Sequence, residues 1–106
     1  MNTKQLKILA LFISLPSIAL AENFEVGQKN DAFTKDQLQL KVGDTVSFLN
    51  NDDHFHNIFS LSDTQIFDLG SYPKGESRSV TFEQAGIVEV ECAIHPDMFM
   101  TIQVTE

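Results

Sequence analysis

Near the C-terminal end of this 106-residue chain, the stretch Glu91-Cys92-Ala93-Ile94-His95-Pro96-Asp97-Met98-Phe99-Met100 sets a thiol, an imidazole and a thioether three residues apart. Three residues span at most about 10 Å when extended, so a tight loop can turn Cys92, His95 and Met98 onto one central ion. Soft sulfur with imidazole suits copper. Two histidines, one cysteine and a weak axial methionine form the donor set of electron-transfer copper sites. The loop supplies one histidine, and the second must be His54 or His56, the only others in the sequence.

Each residue has a plainer use when taken singly. A free cysteine is often a small buried hydrophobe, His95 could be an ordinary loop histidine, and Met98 could fill the core. Their joint order and spacing favour the ion. Zinc held by His54, His56, Cys92 and His95 is a further option, but it requires two histidines from one short stretch. In an extended segment those two side chains point the same way, and His54 is expected near the mouth of the site instead.

The elements that must position these residues read as strands. Apolar residues fall with period two from Phe24 onward: Leu38, Leu40 and Val42, then Val46 and Phe48 after a Gly43-Asp44 turn. Asn50 to Asp53 is a loop, Ile58-Phe59 a short strand, and Ser62-Asp63 another loop. Tyr72-Pro73-Lys74-Gly75 punctuates before a strand with Val80 and Phe82, and Gln84-Ala85-Gly86 turns into Ile87, Val88 and Val90. Ile102 and Val104 close the chain. No helical stripe persists over three turns, so an all-β sandwich or barrel with little helix is expected.

Residues 1–21 have the form of a secretory signal peptide: Lys4 and Lys7, an apolar run from Ile8 to Leu20, and Ala19-Leu20-Ala21 at the cut. The run is shorter than the roughly 20 residues needed to span a bilayer. One domain, residues 22–106, is expected to remain, in a periplasm or similar oxidising compartment. It is small enough to gain from a metal, and Cys92, as the only cysteine, excludes an internal disulfide. All 15 acidic residues but only five of the seven basic ones follow Ala21, so that part carries −10 with histidines neutral. Nucleic acid and anionic membranes are repelled by such a charge, and a basic protein partner is attracted.

Several of these segments together resemble the cupredoxin family, the group of plastocyanin, pseudoazurin and amicyanin. Gly43-Asp44-Thr45-Val46 with Phe48 and Asn50 is similar to the family's G-D-x-V-x-F-x-N strand. His56-Asn57 is similar to its His-Asn pair, and Gly86, Val88, Val90 and Cys92 to the strand that delivers the cysteine. The Cys-x2-His-x2-Met spacing is that of the short ligand loop of amicyanin. The resemblance implies a Greek-key β-sandwich with one type 1 copper ion, held by His56, Cys92, His95 and Met98, and a brace on the ligand loop from Asn57. Met100 stands where family members usually have glycine, and it is the alternative axial donor. The implied role is a monomeric one-electron carrier serving a cytochrome or oxidoreductase, contacted through His95 and the apolar Ile94, Pro96 and Phe99. The implied alternative is a periplasmic copper carrier for tolerance or delivery.

Enzyme chemistry is not expected. A trinuclear copper cluster needs more histidines than the three present, and a binuclear electron-transfer centre needs two cysteines.

Overall fold

The period-two pattern becomes nine β-strands and no helix in the computed structural model, which describes residues 20–106. The expected leader lies almost wholly outside the described residues. No helix among those described is long and apolar enough to cross a membrane. The strands are β1 (Asn23–Lys29), β2 (Ala32–Phe33), β3 (Gln37–Lys41), β4 (Thr45–Asn50), β5 (His56–Ser60), β6 (Phe67–Tyr72), β7 (Ser77–Thr81), β8 (Gly86–Cys92) and β9 (Phe99–Thr105).

They form two mixed sheets, ordered β2-β1-β4-β7 and β3-β9-β8-β5-β6. The parallel pairs are β1 with β4 and β3 with β9. Apolar side chains that alternate along each strand meet between the sheets, where Val26, Val46, Phe48, Ile58, Phe82, Val88, Val90 and Ile102 are fully buried. Each such side chain contributes about 1.5–3 kcal/mol by leaving water. This is the all-β sandwich expected from the pattern.

Local departures have physical causes. Val42 is exposed because β3 ends at Lys41 and the chain turns at Gly43, whose φ of 97° suits glycine. Strand β6 has no clear alternation: Phe67 and Leu69 are only half-buried at the sheet edge, and Gly70 has a φ of 71°. Its pairing with β5 also shifts register between Asn57 and Phe59. At the head of β8, Gly86 has a φ of 143°, and a Cβ there would lie 2.7 Å from Thr64 Oγ1. Only glycine fits that start to the strand that ends at Cys92.

The β3–β4 turn is tied by Asp44, whose carboxylate accepts the amide N–H of Glu22 and of Lys41, each at 2.8 Å. Those two hydrogen bonds, Glu22 first, hold the carboxyl below its usual range. A depressed folded value means that the bonds stabilise the fold above the ordinary carboxylate pKa, and that this is lost as pH falls through the folded value. Asp44→Asn is therefore expected to lower the urea midpoint at neutral pH. Midpoints measured at decreasing pH will converge with the parent's, and a constant gap would refute the linkage.

Candidate metal centre

Three strands of one sheet converge on the end of the sandwich that holds Cys92. In β8 the inward residues Val88, Val90 and Cys92 alternate with outward ones, so Cys92 is buried at 2% exposure as the strand leaves the sheet. Strand β5 runs beside it, with Ile58 opposite Cys92 and His56 one inward position away. His56 is completely buried, and its Nδ1 lies 3.6 Å from Cys92 Sγ. The sulfur also accepts the backbone N–H of Asn57 at 3.4 Å.

The segment between β8 and β9 folds tightly over this pair. The amide of Ala93 donates to Asn57 O at 3.0 Å, and the amide of Met98 donates to His95 O at 2.9 Å, closing a turn from His95 to Met98. Met98 is buried at 1% exposure. The β8–β9 ladder pairs Val90 with Met100 and ends at Glu91 with Phe99, so Met98 is the last residue of the loop before β9. Met100 lies on the inward face of β9 with Ile102 and Val104, and both it and Met98 belong to the buried core.

The family resemblance assigned the loop brace to Asn57. In the structure the brace is its backbone, which bonds Cys92 Sγ and Ala93. The Asn57 side-chain amide, in the orientation its neighbours require, donates to Asp68 Oδ1 at 3.0 Å and to Gly70 O at 3.3 Å. It ties β5 to β6.

Beyond His56 lies a polar layer that sequence reasoning treated only as an acidic loop. Asp52, buried at 4% exposure, takes His56 Nε2 at 2.7 Å on Oδ2. Its two oxygens also accept the amides of Asn30 (2.7 Å) and Asp31 (3.1 Å). Burial would raise the Asp52 carboxyl pKa, but the bonds to His56, Asp31 and Asn30 outweigh it and hold the group below its usual range. An Nε2–H donated to Asp52 leaves Nδ1 of His56 as the lone-pair nitrogen, facing the sulfur. Asn50 fixes the loop itself: its side chain donates to His54 O and Tyr72 O, both at 2.9 Å, and accepts the Asp52 amide at 2.8 Å.

Asn30 and Asp31 both have positive φ, 54° and 56°, as a two-residue hairpin between β1 and β2 requires. That turn carries Asp31 over the outer rim. Its Oδ1 lies 2.5 Å from His54 Nε2, 3.4 Å from His95 Nε2 and 3.9 Å from His56 Nε2. All three histidines of the chain therefore face one carboxylate oxygen. The His54 side chain is about half exposed at this rim. His95 is 31% exposed, flanked by exposed Ile94, Pro96 and Phe99.

The donor chemistry fits copper: a buried thiol and a buried imidazole nitrogen face each other, and the loop that follows buries a thioether. Residues 21–105 match the family of copper binding proteins of the plastocyanin/azurin type. The chain is 34% identical over 99 residues to the methylamine utilization protein MauL of Methylorubrum extorquens, covering 90% of this chain and 87% of the relative. A reduced amicyanin variant superposes with a TM-score of 0.72 at 25% identity, covering 83% of this chain and 86% of its own. An oxidised amicyanin variant gives 0.72 at 26% identity, with 77% and 81% covered.

Proposed function

The chain belongs to the plastocyanin/azurin family of copper-binding proteins, its cofactor is copper, and from that premise we propose that it is a type 1 copper protein carrying single electrons between redox partners. The proposed donors are His56 Nδ1, Cys92, His95 and Met98. The observation that carries this reading is the approach of His56 Nδ1 to Cys92 Sγ at 3.6 Å, both side chains being buried. Bound copper supplies a one-electron cycle between Cu(I) and Cu(II).

The chain's own residues keep that cycle's geometry nearly constant. His56 and Cys92 sit on adjacent strands of one sheet, so their separation is fixed by backbone pairing. Asp52 prevents the His56 ring from turning, and the Asn57 N–H bond to the sulfur tunes its electron density. Pro96, having no N–H, cannot add a second such bond. The edge of His95, between Ile94 at 49% exposure and Phe99 at 45%, is the contact offered to a partner. An acidic domain, residues 22–106, suits a redox protein with a basic docking patch. The leader fits a periplasmic monomer that is free of the membrane once cut.

A visible and paramagnetic-resonance spectrum of copper-loaded protein tests the assignment: strong cysteine-to-copper absorption with the narrow hyperfine splitting of a thiolate site is expected. A colourless, ordinary cupric spectrum defeats it. The cluster of Asp31 with His54 favours a second reading, a copper carrier. A carrier yields copper quickly to a competing chelator and exchanges electrons slowly, and an electron carrier does the opposite.

The axial assignment separates two neighbouring methionines. Met98→Leu is expected to shift the reduction potential more than Met100→Leu. The second variant chiefly perturbs packing, at a cost of under about 1.5 kcal/mol for a swap that conserves volume. Voltammetry of both variants decides the matter, and the reverse order hands the axial role to Met100.

A further inference from the structure

We propose a second, outer cation site at the rim of the sandwich, with Asp31 Oδ1, His54 Nε2 and His95 Nε2 as donors. Its ligand class is a borderline divalent ion such as zinc, copper(II) or nickel, which imidazole and carboxylate suit. The donor atoms of Asp31, His54, His56 and His95 all lie within 4.8 Å of one another. Zinc–nitrogen and zinc–oxygen bonds are about 2.0–2.2 Å, so two donors on one ion stand roughly 3–3.5 Å apart. The gap of 3.4 Å between Asp31 and His95 already has that span, and His54 at 2.5 Å has to withdraw slightly.

The site goes beyond the copper centre and uses different atoms. His56 Nε2 is committed to Asp52 at 2.7 Å and stays out of it. His95 offers its Nε2 outward, and with its other ring nitrogen in the inner set, binding of the second ion displaces the Nε2 proton to solvent and leaves the ring bridging the two ions as an imidazolate. Asp31 has no lysine or arginine partner among the described residues, and its ion-pair contacts are all to histidine. The carboxylate is also prepositioned, because Asp52 holds the amides of Asn30 and Asp31 and so sets the turn over the histidines. About half of the Asp31 and His54 side chains is exposed, so water can reach the ion and complete its coordination.

The competing explanation is a simple His54–Asp31 hydrogen bond with no ion. Zinc distinguishes the two, since it adds no colour of its own. Copper-loaded protein is first checked for its cysteine-to-copper band and then titrated with zinc by calorimetry. One further equivalent is expected, with a proton released to the buffer and the band shifted but not lost. His54→Ala and Asp31→Asn are each expected to weaken that equivalent by at least about tenfold, or 1.4 kcal/mol. The site is overturned if no further equivalent binds, if both variants bind it as tightly as the parent, or if zinc bleaches the band by entering the inner centre. A missing band before any zinc is added speaks against the copper assignment alone. The zinc titration of the same sample still reports on the rim.

Discussion

Cys92→Ser is expected to remove the intense visible absorption of the copper(II) protein entirely while the far-ultraviolet signature of the sheets stays. The absorption requires a thiolate bonded to the metal, and a serine hydroxyl has no comparable low-energy donor orbital. The fold tolerates the change because Ser and Cys are nearly isosteric. The new hydroxyl also inherits the Asn57 N–H that now points at the sulfur. Placing a satisfied hydroxyl there costs about 1 kcal/mol, little beside the loss of the strongest metal bond. Copper affinity falls with the colour. A variant that remains coloured would refute the assignment of Cys92 as the thiolate, because the chain has no other cysteine.

Asp52→Ala is expected to carry the second-largest effect, although Asp52 is not among the proposed donors. Truncation strands His56 Nε2–H in a fully buried position and frees the Asn30–Asp31 turn. A stranded buried donor costs about 1–3 kcal/mol of stability. Loss of an orienting partner of a metal-binding histidine costs about 10–100-fold in metal affinity. Both losses are measurable, by urea unfolding of the metal-free protein and by chelator competition of the loaded one. Asp52→Asn keeps the volume and one acceptor, so it is expected to recover most of the stability but only part of the affinity. Copper held equally tightly by all three proteins contradicts the orienting role.

The two predictions mark where sequence reading succeeded and where it stopped. Cys92 was legible because Val88, Val90 and Cys92 alternate in a strand and the next six residues bring histidine and methionine at loop spacing. Met98 and Met100 are both buried, so burial does not separate them, and the choice of Met98 still rests on its spacing from His95. Strand β6 stayed hidden because its half-buried edge position erases alternation. The roles of Asp52 and Asp31 were hidden for a different reason. The parallel pairing of β1 with β4 sets Gln28 beside Asn50, so the turn after β1 overhangs the loop after β4. Residues 21 to 23 apart in sequence then meet around one histidine cluster, and no local pattern encodes such a meeting.

The same pairing habit governs when the centre can exist at all. The last strand, β9, is not an edge but an interior member of its sheet, sandwiched between β3 and β8. Until β9 docks, β8 lacks one of its two neighbours. Contacts of such long sequence separation form late, because the chain must lose loop entropy before they repay it. The proposed donors on β5 and β8 are therefore expected to reach their folded spacing only once β9 has docked beside β8.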